Sequence, residues 1–350
     1  MSKPEQLLTG NVTTTYGDFF MRPNLATPYG QVPALPPLMT SPDIIPQTAP
    51  LANFQTALAT STSYGQDIGK NLNLGQNNLI YVRAKNAHSG AQSGTIALYY
   101  APSAVINWPS QWVNNKLKTD QGNISTTISA TAMGAISVGA NPFQWVPQTP
   151  PAGSDHYCLF SQIMTPTTPN PIPGQNVPMT YENMATLVAT DLGIAWRNVT
   201  LVENSLPTWN YQTMLTVPSS TPTAEVVHVY LACNNIPVGG TIQFTCSSTD
   251  KTSGPISIPP TPITDPNQIS GVTVTLQPGF SGSITVSYWS NGKTPVSGAN
   301  ILLEASLEAG GYPKLQRLVR PNFRARFAKA NITPTLPIYL GNFLYHIVSQ

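Results

Sequence analysis

Charge is what this chain lacks most. Only 9% of its 350 residues are Asp, Glu, Lys or Arg, against roughly 25% in an ordinary globular protein. Solubility must rest on Ser, Thr, Asn and Gln, and such a surface has little of the like-charge repulsion that keeps copies apart. Cysteine is scarce as well. Cys158, Cys233 and Cys246 make an odd number without metal-like spacing, so they read as small buried hydrophobes, with a Cys233–Cys246 pair on adjacent strands as the alternative. No apolar run is long enough to span a membrane, and the start, Met-Ser-Lys-Pro-Glu-Gln-Leu-Leu, has no signal-peptide core. These absences predict cytoplasmic synthesis, with any role outside the cell reached inside a particle, by lysis or through a secretion or injection machine.

Catalytic patterns are missing too. His88, His156, His228 and His346 are far apart, and two of them fall in predicted core strands, where a lone imidazole ordinarily packs and hydrogen-bonds. Asp155, His156 and Cys158 cluster, but neighbouring strand residues face opposite ways, so Asp155 and His156 do not share a site. A His156–Cys158 dyad also needs an oxyanion site and an orienting third group, which nothing in the sequence marks. Fourteen carboxylates are scattered without a spacing that nominates an acid/base pair. Phosphate-binding glycine loops and acidic calcium loops are absent. The expectation is a protein with no catalytic residue, metal or cofactor.

What is present is proline, glycine and short β-type runs. The chain has 35 prolines and 25 glycines, yet 41% of its residues are hydrophobic, enough to offset chain entropy in an ordered, loop-rich fold. The stretch from Asn78 to Trp112 reads as a β-hairpin, 78–86 and 94–100, followed by a loop with Trp108 and Trp112 that covers its open end. Further strands are expected at 41–46, 143–147, 155–163 and 193–202. Residues 119–139 leave a strand pair and an irregular excursion both open. No helix of any length is expected before residue 300.

Beyond residue 206 the pattern restarts, with strands at 225–233, 240–247, 271–276, 282–289 and 300–305. Three alternate apolar and polar positions, as one-side-buried antiparallel strands do. The proline-rich 255–266 reads as a connection or an edge, and the apolar end, 336–348, as a strand added to this or another subunit's sheet. Two further segments flank the strands. Residues 1–40, with Tyr16, Phe19 and Phe20 among prolines, read as an extended arm that packs on its own body or on a neighbour. Residues 309–350 carry +6 while the remainder carries −4, giving the net +2.

The ordered set Pro-Asp-Ile-Ile at 42–45, Asn-Leu-Ile-Tyr-Val-Arg-Ala-Lys-Asn at 78–86, Gly-Thr-Ile-Ala-Leu-Tyr-Tyr at 94–100, His-Tyr-Cys-Leu at 156–159 and Asn-Val-Thr-Leu-Val at 198–202 resembles a CARDB-type domain. That family is a bacterial, cell-adhesion-related immunoglobulin-like β-sandwich. The resemblance covers roughly 38–205, and the insertions around 50–70, 103–140 and 164–190 depart from a compact module. It implies adhesion or scaffolding and brings no catalytic residues.

The sequence thus predicts an all-β protein of two immunoglobulin-like antiparallel β-sandwich domains, 41–205 and 206–308, with extended N- and C-terminal arms, 1–40 and 309–350. The leading functional expectation is a structural protein that self-assembles into a homo-oligomer, as a particle, filament or crystal component of bacterial or phage-related origin, with Tyr16, Phe19 and Phe20 as its assembly arm. Arg317, Arg320, Arg324, Arg326 and Lys329 form a basic segment that reads as a solvated surface or a protein interface, with nucleic acid or an anionic membrane as further partners. The alternative is an adhesin or delivered toxin component that binds a glycan or host protein through Trp108, Trp112 and Trp209.

Overall fold

The computed structural model describes residues 14–34, 37–175, 177–199, 208–248, 254–294, 296, 299–316, 327, 330, 332 and 337–346. The first half holds β1 (Thr14–Thr15), β2 (Phe19–Phe20), β3 (Gln31–Val32), β4 (Ile44–Gln47), β5 (Asn78–Asn86) and β6 (Gln92–Pro102). It continues through β7 (Lys118–Thr119), β8 (Thr126–Ala130), β9 (Ile136–Val138), β10 (Phe143–Trp145), β11 (Tyr157–Met164) and β12 (Ile194–Val199). Helices α1 (Phe54–Leu58), α2 (Ser61–Tyr64) and α3 (Tyr181–Thr190) interrupt it. The second half holds β13 (Thr208–Thr216), β14 (Glu225–Asn234), β15 (Thr241–Cys246), β16 (Ser257–Pro262), β17 (Ile269–Leu276), β18 (Ser281–Trp289), β19 (Asn300–Glu308) and β20 (Pro337–His346), with α4 (Pro313–Gln316) after β19. The protein is all-β, and among the described residues every pairing between these strands is antiparallel.

β5 is the hub of the first sheet. One of its edges takes β4 and β2, and the other takes β10 and β9, with β7 beyond β10. The facing sheet runs β12-β11-β6-β8. β5 and β6 are therefore not a hairpin: they stand in opposite sheets, joined by an arch. Its bend is closed by a side chain instead of a ladder, because Asn86 Nδ2 donates to the carbonyls of Gly90 (2.8 Å) and Ala132 (3.0 Å) while its Oδ1 accepts from His88 N (3.0 Å). An asparagine that captures nearby backbone groups competes with strand pairing.

Alternate faces explain the long apolar runs. Ile80, Val82 and Ala84 of β5 face Ile96 and Leu98 of β6 and Leu159 and Ile163 of β11 across the first sandwich. On the back of β5, Tyr81 packs with Ile45 and Leu58 under the 50–70 insertion. The back of β6 and β11 is covered as well: Ala97, Tyr99, Cys158 and Phe160 belong to a cluster that extends through α3 into the second half. A strand covered on both faces reads as a continuous apolar run and not as an alternation, as Tyr157–Phe160 does.

The second half is a Greek-key sandwich of two sheets, β13-β18-β15-β16 and β17-β14-β19-β20. β14 pairs with β17 in one sheet, and the strands that follow each of them, β15 and β18, pair in the other. That interlock links the two sheets. β16 is an edge strand carrying Pro259, Pro260 and Pro262, a position where prolines are tolerated. The apolar end lies on this chain's own sheet, as β20 beside β19.

α3 corrects the expectation that no helix precedes residue 300. Thr180 caps it by accepting from Asn183 N, and Met184, Leu187 and Val188 give a buried face at helical spacing. A strand at 208–216, β13, was also not foreseen.

One ionic cluster ties the first half together. Asp43 is fully buried and accepts from Arg22 N (2.7 Å), Nε (3.0 Å) and Nη2 (2.6 Å), and from Arg83 Nε (2.9 Å). Arg83 uses its remaining N–H groups on the carbonyls of Leu58, Ser63, Pro42 and Gln66, so all five donors of a buried guanidinium are engaged. Arg22 Nη1 donates to Tyr64 O, and the guanidinium lies 3.5 Å from the Tyr64 ring centroid. Replacing Asp43 with Ala leaves two buried cations without their anion, and urea unfolding should show a loss of ~3–5 kcal/mol. A loss near zero would mean that packing alone holds this region.

Candidate functional site

The tryptophans expected to face a ligand are inside the protein. Trp108 and Trp112 have no solvent exposure and Trp209 is 4% exposed. Trp112 stacks on Phe160 at 4.8 Å with planes 3° apart and meets Tyr99 edge-on. Trp108 donates through Nε1 to Thr216 O (2.7 Å) and packs edge-on against Tyr181 of α3. Trp209 stacks on Tyr345 inside the second sandwich. None of the three is an exposed stacking platform, which corrects the expectation that they present one to a ligand. The signal for burial is the run Ala104, Val105 and Ile106 leading into Trp108: a loop this apolar is stable only when covered, and these residues are 0% exposed.

Instead the loops join the two sandwiches. β13 and β20 are edge strands of their sheets, and Val105 N donates to Met214 O (2.7 Å) while Met214 N donates to Ser103 O (3.1 Å). Asp155 N donates to Gln212 O (3.1 Å), and the Asp155 carboxylate accepts from Gln212 N. On β20, Gly341 lies so close to the Val105 carbonyl that an added Cβ would stand 2.1 Å from it. Backbone groups that would otherwise offer themselves to another chain are thus satisfied internally.

The arm residues are also engaged within the chain. Phe19 and Phe20, both 1% exposed, pair with Asn86 and Lys85 of β5. Tyr16 reaches Asn170 Oδ1 (2.8 Å) and lies 3.4 Å from Asp191 Oδ1. Here they complete their own subunit's sheet, because the arm supplies the strand that the end of β5 lacks. Asp18 accepts from Phe19 N, Gln92 Nε2 and the hydroxyls of Thr165 and Thr167. Burial opposes its ionisation, but hydrogen bonds from Thr165, Thr168, Phe19 N and Thr167 outweigh that and lower its pKa. Arg317, Arg320, Arg324, Arg326 and Lys329 lie outside the described residues.

No protein-family model matches the sequence, and no curated protein matches it. Similar solved structures include red sea bream transglutaminase, at 12% identity and TM-score 0.21 over 68% of this chain and 28% of that one. The CupB6 tip adhesin of Pseudomonas aeruginosa overlaps at 10% identity and TM-score 0.15, over 68% of this chain and 90% of that one. The collagen adhesin CNA of S. aureus overlaps at 8% identity and TM-score 0.17, over 69% and 84%. Overlaps this small assign neither a fold family nor an activity.

The titratable side chains are arranged for packing. His156 sits between Tyr211 and Phe343, and burial pushes its pKa down to about 4, so the ring is neutral at physiological pH. His228 contacts Thr273 and Glu308, and burial lowers its pKa despite the nearby carboxylate. Among the described residues, no three His, Cys, Asp or Glu side chains gather where a metal could bind, and no helix is long and apolar enough to cross a membrane. Cys158 donates to Asn198 Oδ1, and burial raises both its pKa and that of Cys233 to about 12. All three cysteines are free. Iodoacetamide at pH 8 should leave Cys158 and Cys233 unmodified in the native protein and label all three once urea unfolds it. Rapid native labelling of Cys158 would contradict its enclosure.

Proposed function

We propose that this chain is a non-enzymatic structural protein whose copies self-associate, as the subunit of a particle, filament or crystal of bacterial or phage-related origin. The observation that carries this reading is the placement of exposed apolar side chains at both ends of β5. At one end Tyr29 (41% exposed) and Met133 (62%) gather around Asn86, whose carbonyl accepts from Tyr29 Oη and whose Nδ2 donates to Ala132 O. At the other, Leu74 (47%) and Val146 (45%) flank the bond from Gly75 N to Pro147 O, beside Asn78. Nine residues of strand separate these ends by ~30 Å. Apolar groups at two opposite poles favour head-to-tail contact, which builds rings when the rotation closes and filaments when it does not. Sparse charge supports the same reading, since few like charges oppose contact.

The adhesin alternative through tryptophan loops has lost its platform, so the poles of β5 are the better-supported contact surface.

Light scattering of the purified full-length chain across concentration and salt, with negative-stain imaging, tests the proposal. We expect regular assemblies that salt strengthens, because apolar contacts tighten as salt is added, and a shift towards monomer in Met133→Glu and Leu74→Glu. Assemblies that loosen with salt would transfer the contact to the basic C-terminal segment. A monomer at every concentration would end the self-assembly reading.

A further inference from the structure

The turn that follows β18 carries the one Asn-Gly step in the sequence, Asn291-Gly292. Lys293 N donates to Ser290 O (2.9 Å), and the two residues between them have φ of 51° and 77°. Positive φ at both central positions is what a type I′ turn requires, and asparagine followed by glycine tolerates it best. Both residues are exposed, so water and hydroxide reach them.

Such a pair reacts with itself. The Gly292 nitrogen, once hydroxide has taken its proton, attacks Asn291 Cγ. The new C–N bond closes a succinimide ring, and the Cγ–Nδ2 bond breaks with loss of ammonia. The departing nitrogen takes a proton from water, which restores the hydroxide. A second water then opens the ring, giving aspartate when it attacks at Cγ and isoaspartate when it attacks at the main-chain carbonyl. The net change is one water consumed and one ammonia released. Glycine favours the step because no Cβ shields its nitrogen, and Gly292 N makes no backbone hydrogen bond among the described residues.

The fold restrains the other reactant. Asn291 Nδ2 donates to Gly239 O (3.0 Å) and to Thr241 Oγ1 (3.0 Å), so both hydrogens of the amide are engaged. These bonds tie the leaving group to the 239–241 turn, and attack needs the side chain to swing back onto its own following nitrogen. The clamp also sits at the end of a ladder, where Thr241, the first residue of β15, pairs with Trp289, the last of β18. Lys293 packs on the same turn: a Cβ added to Gly239 would meet its Cε at 2.9 Å.

We propose that Asn291-Gly292 is a self-deamidation site whose rate is set by this clamp, slow while Asn291 holds Gly239 and Thr241 and fast once it lets go. A carboxylate has no hydrogen to give, so the aspartate product loses both bonds and sets an anion beside the Gly239 carbonyl. Isoaspartate, in addition, lengthens the main chain of the turn by one carbon. Neither product re-forms the clamp, so the conversion records how long this end of the β15–β18 ladder has stood open. The site acts within one chain and does not depend on the assembly reading.

Peptide mapping of the full-length chain by mass spectrometry, during incubation at pH 8 with and without urea, tests it. In urea, Asn291 should convert faster than every other asparagine. In the native protein it should convert at least about tenfold more slowly than in urea, because two hydrogen bonds must open first. Thr241→Val removes one of those bonds and should speed native conversion about threefold or more, with the rate in urea unchanged. Equal rates in the native and unfolded chain overturn the proposal. So does a native rate that Thr241→Val leaves unchanged, or an unfolded chain in which Asn291 converts no faster than other asparagines. Should Thr241→Val fail to fold, Thr241→Ala removes the same acceptor and decides.

Discussion

The first half of the molecule depends on Asp43. A carboxylate with no access to water is costly unless its charge and lone pairs are met, and here they are met by guanidiniums from two distant places in the sequence. Arg22 brings the arm, and Arg83 brings the central strand β5. Through its other donors Arg83 also binds carbonyls of the 50–70 insertion. Removing Asp43 leaves two buried cations without their anion, and removing either arginine leaves buried carboxylate or carbonyl oxygens without their donors, so the three segments are held as a unit. The insertion is consequently a lid over Tyr81 and Ile45, and the 79–83 side of β5 is an interior surface.

A second constraint follows from covering both faces of β6 and β11. Once their back faces are apolar, something must bury them. Trp112 on Phe160, α3, and the loops that close the edges of β13 and β20 do so, which merges the interior of the second sandwich with this layer. The conformational cost of long loops is offset because they pack as core. This also explains why the sequence looks rich in binding features while so few remain outside: its aromatic loops serve the joint.

The strand positions were legible wherever a run was bounded by turn residues and packed locally. Runs such as 157–163 and 225–233 stand out because both faces are apolar, and 241–246 because one face is. Partnership was not legible. The run-turn-run of 78–100 has the local form of a hairpin, and only the side-chain bonds of Asn86 and the claims of β8 and β11 on β6 turn it into an arch. α3 was masked by the proline-rich stretch before it, although Thr180 and the 184, 187 and 188 spacing carry a helix signal. β13 was hidden because Thr, Asn and Gln alternate with its aromatics on a half-solvated strand. The tryptophans mislead because loop position does not imply exposure: Trp108 and Trp112 lie on a loop that packs as core. Asp43 gave no signal at all, since its partners lie 21 and 40 positions away.

The same logic of partners separates the two carboxylates beside Tyr16. Asp18 is the more enclosed residue by exposure, yet it ionises readily because hydroxyls and an amide converge on both of its oxygens. Asp191 stands at the negative end of a helix with fewer donors, and burial raises its pKa to about 7. Burial penalises both charges, and the number of donors decides which survives. The Arg22–Asp43 pair, 2.6 Å apart and buried, holds the same arm further along the chain.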